Sequence, residues 1–169
     1  MHLTTPTIAT LSLIPDGVPG IAATLKAMGG MVRQYKKSLA VRGNALRLTS
    51  QCNQKDWSCE VKSLHAFVRD YIRYVGDVTD VETVQSPDKT LEFGAGDCDD
   101  KSVLLAALLE SIGHPTRFVA IGFEPGLYSH VYVETKIGAS WIPLETTENV
   151  EVGWQPDPKV IVERMQFVN

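Results

Sequence analysis

The fold is decided by the stretch FGAGDCDDKSVLLAALLE, residues 93–110. Its glycines predict a flexible turn, and the apolar run predicts a helix that ends at Gly113 and Pro115. Cys98 lies in the first turn of that helix, where unpaired backbone N–H groups and the positive end of the helix dipole favour an anion. We therefore expect a lowered pKa for the Cys98 thiol, with its backbone N–H as an oxyanion donor.

Three acidic residues beside the cysteine oppose that effect. Asp97, Asp99 and Asp100 place negative charge next to a thiolate, and this raises the thiol pKa. We expect structural roles for them, with Asp97 as the helix N-cap and the other two complementing the dipole. A metal site built from the three carboxylates is the less favoured alternative, so the sequence predicts no metal and no cofactor.

A nucleophilic cysteine needs a base, and His130 is the candidate. It begins the alternating segment HVYVE, residues 130–134, and a second alternating run, WIPLE, ends at Glu145. A glycine-containing turn between the two runs predicts a β-hairpin. We expect one imidazole nitrogen to bond the Glu145 carboxylate while the other faces the thiol.

The register of this hairpin follows from its buried face. Val131 and Val133 must lie on the same face of the sheet as Ile142 and Leu144, and only some turns between the strands give that register. An Ile137-Gly138 turn pairs His130 directly with Glu145, whereas a Gly138-Ala139 turn makes them diagonal neighbours. Either turn places their Cβ atoms on one face, within roughly 5 to 8 Å.

Two more helices precede this region. Apolar spacing predicts one from Ile21 to about Ala40, interrupted and kinked at Gly29-Gly30. A second begins at Asp56 as N-cap and continues to about Val75. Residues 76–96 are expected to form a long, mostly irregular loop.

The three cysteines exclude a complete disulfide framework, because their number is odd. Cys52 and Cys59 flank the start of the second helix. With no histidine or further cysteine near them, we expect two structural thiols rather than a metal site.

The 169 residues, 44% of them apolar, suit one compact domain. We expect an extended N-terminal arm over residues 1–20 and a single domain over 21–169. No apolar run approaches the roughly 18 residues that span a bilayer, and the N-terminus lacks the features of a secretory signal. We therefore expect a cytoplasmic protein with no membrane partner.

The net charge of −4 is unevenly distributed. Residues 17–55 contain seven basic residues and no acidic one. The favoured interpretation is a solvated face that partly neutralises the acidic body, and the alternative is a contact surface for phosphate or an acidic partner. No aromatic interleaving or zinc spacing supports a nucleic-acid partner.

Taken together, these motifs resemble the bacterial transglutaminase-like superfamily. The resemblance covers residues 61–147 and implies an α+β, papain-like core whose nucleophile helix packs on an antiparallel sheet. It rests on GDC at 96–98, the helix LLAALL at 104–109, GHPTRFV at 113–119, HVYVE at 130–134 and WIPLETT at 141–147.

By position, the resemblance implies Cys98 as nucleophile, His130 as base and Glu145 as orienting acid. Asp97, Tyr132 and Trp141 would neighbour the site. This sequence departs from the family twice, because the acid is usually Asp and the aromatic residue two positions after the histidine is commonly Trp.

Three functions are compatible with this resemblance. The first is hydrolysis of amide or peptide bonds through a thioester, with a protein or peptide substrate. The second is transamidation, which cross-links proteins or transfers an amine. The third is a non-catalytic binding or phage assembly module with a virion or host protein partner, because the chain also resembles, more loosely, compact proteins encoded by phages and prophages. That module would be associated with a virion.

Overall fold

A computed structural model describes residues 8–10, 17–76 and 83–169 of the protein. The helices are α1 (Val18–Tyr35), α2 (Leu39–Leu48), α3 (Trp57–Tyr71), α4 (Pro87–Phe93) and α5 (Cys98–Ser111). The strands are β1 (Ile8–Thr10), β2 (Arg73–Tyr74), β3 (Thr83–Gln85), β4 (Ala95–Gly96), β5 (Thr116–Gly122), β6 (His130–Ile137), β7 (Ser140–Leu144) and β8 (Glu163–Val168). No helix in these ranges is long and apolar enough to cross a membrane.

The helix α5 lies at the centre of the fold. Its residues from Asp100 to Leu109 are all buried, the polar ones at its start included. It contacts the other four helices as well as strands β5 and β6. A helix that is apolar on every face needs cover in every direction, so helices and sheet both pack on it. The predicted α+β class, with this helix against an antiparallel sheet, is confirmed.

The main sheet has the strand order β7-β6-β5-β8, and all its pairs are antiparallel. Residues Phe118 and Val133, which are paired across β5 and β6, belong to the core that surrounds α5. On the opposite face, Val119 and Tyr132 form a smaller apolar cluster with Ile161 packed against it. The predicted alternation of the hairpin is therefore confirmed, and both faces are covered.

The predicted helix over residues 21–40 is two helices. α1 begins at Val18, within the expected arm, and continues without interruption through Gly29-Gly30. It ends at Tyr35, and Ser38 then caps α2 by accepting a hydrogen bond from the Val41 N–H. Residues 1–7 and 11–16 of the expected arm lie outside the described residues.

The predicted start of α3 at Asp56 is confirmed, but the predicted end, at about Val75, lies beyond the end of the helix. Asp56 is the N-cap and accepts a hydrogen bond from the Cys59 N–H at 3.0 Å. The helix stops at Tyr71, because Ile72 is extended and β2 then pairs in parallel with β4.

The predicted irregular loop contains regular structure. Within it, β3 pairs with β1, and α4 begins after the N-cap Ser86. Gly94 ends α4 in a left-handed conformation with φ 59°, which glycine adopts at little cost. Residues 77–82 of this segment lie outside the described ranges.

The expectation of two free thiols at Cys52 and Cys59 is wrong, since these residues form a disulfide. Cys52 follows α2 and Cys59 lies in the first turn of α3. The connection between these helices brings the Cα atoms of the two cysteines within 5.7 Å, a separation that a disulfide spans. Cys98 is the free cysteine.

The basic segment 17–55 forms α1, α2 and their connections, and part of its charge is used inside the protein. Lys36 Nζ lies 3.0 Å from Glu110 Oε2. Arg42 donates a hydrogen bond to the carbonyl of Ser111, at the C-terminal end of α5, where a cation complements the helix dipole.

The two glycines of α1 are expected to respond oppositely to substitution. In Gly29→Ala the new Cβ would lie 2.6 Å from Cε1 of Phe167, whereas at Gly30 the nearest atom is 3.9 Å away. Overpacking costs about 1 to 3 kcal/mol, and Ala in place of Gly contributes up to about 1 kcal/mol in a helix. Chemical denaturation should therefore show a lower free energy of unfolding for Gly29→Ala and a higher one for Gly30→Ala. Equal changes would contradict this packing.

Candidate active site

Cys98 and His130 line one cavity of about 300 Å³, which we call the Cys98 cavity. Cys98 is the first residue of α5, and His130 is the first residue of β6. The backbone N–H of Val131 forms a hydrogen bond with the sulfur, and Ser102 Oγ donates to the Val131 carbonyl at 3.3 Å. These contacts hold the start of the helix against the start of the strand.

The N-terminus of α5 is fixed by a reciprocal capping box. Asp97 Oδ1 accepts from the Asp100 N–H at 3.0 Å, and Asp100 Oδ2 accepts from the Asp97 N–H at 3.3 Å. The predicted N-cap is confirmed, and Asp100 also accepts a hydrogen bond from the backbone N–H of Gln85. A Cβ at Gly96 would lie 2.5 Å from that of Asp100, so glycine permits this close approach. Across the described residues, no group of three or more His, Cys, Asp or Glu is arranged to hold a metal ion.

The expected lowering of the Cys98 pKa is wrong. Burial raises the pKa of the thiol most, and the negative charges of Asp99 and Asp97 raise it further. The hydrogen bond from Val131 lowers it, but by less. The thiol donates to Asp99 Oδ1 at 3.6 Å. Desolvation and two carboxylates therefore outweigh the helix terminus, and the resting thiol is protonated.

His130 and Glu145 are in direct contact, with Nε2 and Oε2 2.6 Å apart. The hairpin turns at Gly138-Ala139, because Ile137 pairs with Ser140, so the two residues are diagonal neighbours. A carboxylate can only accept a hydrogen bond, so the neutral imidazole carries its proton on Nε2. Nδ1 is then the nitrogen that can accept a proton from a thiol.

The Glu145 carboxylate is buried and firmly held. Its second oxygen, Oε1, accepts hydrogen bonds from the N–H and the hydroxyl of Thr147, both at 2.7 Å. Burial raises the pKa of this carboxyl, but the hydrogen bonds from His130 and Thr147 outweigh it, so the pKa is lowered. Glu145 is therefore ionised at neutral pH and can stabilise an imidazolium.

Two buried residues that sequence reasoning missed support this acid. His65 on α3 donates from Nε2 to the Glu145 carbonyl, and burial lowers its pKa, so its ring is neutral. Lys101 Nζ donates to the carbonyl of Ile72 at 2.7 Å, at the end of α3, and its charge acts on Glu145. His65 shares a helical face with Val61 and Val68, a signal that places it in the core. The sequence offered no comparable signal for Lys101.

The two aromatic residues expected near the site lie in different places. Tyr132 is brought to it, with its ring centroid 6.4 Å from that of His130 and its hydroxyl accepting from Arg164. Trp141 pairs with Lys136 beside the turn, and the Arg117 guanidinium lies over its ring at 4.4 Å. The structure does not bring Trp141 to the Cys98 cavity, because His130 lies at the opposite end of β6.

Comparison with protein families identifies the superfamily of the chain. The family model of the transglutaminase-like superfamily matches residues 45–146, which include Cys98, His130 and Glu145. The chain belongs to the transglutaminase-like superfamily. No curated protein matches the chain significantly.

Two solved structures share the fold. A "putative protease" from Parabacteroides distasonis is 15% identical, with a TM-score of 0.61 over 74% of this chain and 26% of that protein. A "putative cysteine protease" from Cytophaga hutchinsonii is 17% identical, with a TM-score of 0.54 over 96% of this chain and 58% of that protein. The chain thus spans about a quarter of the first and just over half of the second.

The raised thiol pKa predicts how Cys98 reacts with iodoacetamide. Under non-reducing conditions only Cys98 should be labelled, slowly near neutral pH and faster as the pH rises towards about 10. Asp99→Asn removes one charge that raises the pKa, so the rate near pH 8 should increase by about tenfold, the effect of roughly one pKa unit.

Mass spectrometry of the labelled chain measures this rate, with Asp157→Asn as the control because Asp157 does not line the Cys98 cavity. A wild-type rate that is constant between about pH 6 and pH 9 would indicate a preformed thiolate and contradict the prediction.

Proposed function

We propose that the protein is a thiol-dependent hydrolase of amide or peptide bonds that acts on a protein or peptide. The hydrogen bond between His130 and Glu145 carries this proposal, because it orients a histidine that lines the same cavity as Cys98 and leaves its Nδ1 to accept the thiol proton. Membership of the transglutaminase-like superfamily supports acyl chemistry on a thiol.

The first step forms the acyl–sulfur bond. Cys98 Sγ attacks the carbonyl carbon of the substrate while Nδ1 of His130 accepts the thiol proton. The Glu145 carboxylate stabilises the imidazolium that results. The negative oxygen of the tetrahedral intermediate accepts a hydrogen bond from the backbone N–H of Cys98, at the start of α5.

The next steps return the site to its starting state. The carbon–nitrogen bond breaks, and Nδ1–H of His130 gives its proton to the departing amine, which leaves a thioester on Cys98. Water then attacks this thioester while His130 accepts a proton from the water. The carbon–sulfur bond breaks, the sulfur regains a proton, and the product is a carboxylic acid. Transamidation would use the same thioester with an amine in place of water.

A non-catalytic binding or phage assembly module is the competing hypothesis, with a virion or host protein as its partner and the cytoplasm or the virion as its location. The observation that favours it is the raised pKa of Cys98, together with Glu145 in place of the usual aspartate. The two hypotheses differ in whether His130 changes the reactivity of the thiol.

Substitution of the three residues tests the hydrolase. A library of synthetic peptides, analysed by mass spectrometry for new termini, should show cleavage that Cys98→Ala abolishes. His130→Ala and Glu145→Gln should each lower kcat/KM by about 10² to 10⁴, the usual contribution of an acid–base group and its orienting acid. Glu145→Asp should also lower it, because a side chain shorter by one methylene withdraws Oε2 from His130.

Glu151→Gln is the matched control, since its side chain is 87% exposed and contacts Arg69 rather than His130. Cleavage that survives Cys98→Ala would come from another site or a contaminant. If no peptide is cleaved and His130→Ala leaves the alkylation rate of Cys98 unchanged, the hydrolase is refuted and the binding module is favoured.

A further inference from the structure

A second cleft, of about 610 Å³, lies beside the Cys98 cavity, and His130 lines both. We call it the aromatic cleft. Glu145 lines it next to His130, whereas Cys98 lines only the first cavity. Its other walls include the side chains of Tyr74, Phe123, Val150, Trp154 and Pro156. The two spaces therefore meet at the predicted base.

The chemistry of the proposed hydrolase predicts that the Cys98 cavity and the aromatic cleft bind different parts of the substrate. The acyl part becomes bonded to Cys98 Sγ, so it must occupy the cavity that contains this sulfur. The departing amine takes its proton from His130 and is never bonded to sulfur. A space that touches His130 but not Cys98 therefore suits the leaving group.

The walls of the aromatic cleft indicate what it binds. Tyr74, Phe123 and Trp154 are 54%, 46% and 42% exposed, although they come from distant parts of the sequence. Single exposed apolar residues are normal, but three aromatic rings that line one cleft next to an acid–base group mark a binding surface. Each ring offers a large apolar area that a substrate side chain can cover.

The charges in the cleft restrict the ligand further. Among the residues that the structure describes, its lining includes Glu145 and Glu148 and no lysine or arginine. A free carboxylate on the leaving group would be repelled there, whereas an amide would not.

We infer that the aromatic cleft is the leaving-group subsite and selects an aromatic or large apolar residue whose own carboxyl is in an amide bond. This inference rests on the proposed hydrolase. It makes the enzyme one that cleaves within a peptide, on the N-terminal side of such a residue.

Binding to the inactive Cys98→Ala protein tests the subsite without catalysis. Isothermal titration calorimetry should show phenylalanine amide binding at least tenfold more tightly than glycine amide, and more tightly than free phenylalanine. Adding Trp154→Ala, or Phe123→Ala as a second variant, should remove most of the preference for the aromatic amide. Trp57→Ala is the matched control, because Trp57 is also half-exposed but lines neither cavity. Equal affinities for the two amides, or a preference that Trp154→Ala and Phe123→Ala leave intact, would overturn the inference.

Turnover separates this inference from the proposed function. A thioester on active protein is attacked by amines that bind where the leaving group bound, so phenylalanine amide should divert more thioester from hydrolysis than glycine amide does. Trp154→Ala should remove that difference, and the control Trp57→Ala should leave it unchanged. If phenylalanine amide binds but no thioester forms on Cys98, the hydrolase is refuted and the cleft loses its assignment to a leaving group. If thioester forms and both amides divert it equally, the hydrolase stands and the subsite is refuted.

Discussion

Burial of α5 on every side is the constraint on which the rest of the structure depends. A helix enclosed by four others and a sheet has its backbone hydrogen bonds satisfied internally except at its ends. At the N-terminus the N–H of Asp100 donates to Asp97, and Asp100 in turn accepts from the N–H groups of Asp97 and Gln85. This pair fixes where the helix begins, and so places Cys98 against the first residues of β6.

Glu145, the acid that bonds His130, interacts with three different parts of the chain. His65 donates a hydrogen bond to the backbone carbonyl of Glu145, and Thr147 donates to one oxygen of its carboxylate. Lys101 contributes positive charge from within α5. Glu145 follows the last residue of β7 and is a diagonal neighbour of His130. The longer side chain of glutamate spans this diagonal, which explains in physical terms how it reaches His130 from a position where the resemblance implies an aspartate.

The parts predictable from the sequence are those that local periodicity specifies. Helices α3 and α5, the N-caps Asp56 and Asp97 and the alternating hairpin follow from spacing along the chain, and the hairpin then brings His130 to Glu145. The parts that failed depend on contacts distant in sequence. Gly29 looked like a helix break because nothing local shows that Phe167 packs on it, and the sulfur of Cys98 looked like a thiolate because its burial depends on the whole fold.

The state of the thiol also determines the order of events in the proposed reaction. Each unit by which the pKa of Cys98 is raised adds about 1.4 kcal/mol to the cost of forming a thiolate before attack. Burial and Asp99 both increase this cost. Proton transfer to Nδ1 during attack avoids a free thiolate, because the sulfur loses its negative charge to the carbonyl oxygen as the new bond forms. The ionised Glu145 stabilises the imidazolium in that same transition state, so His130 and the buried Glu145, rather than the helix terminus, provide the main electrostatic stabilisation.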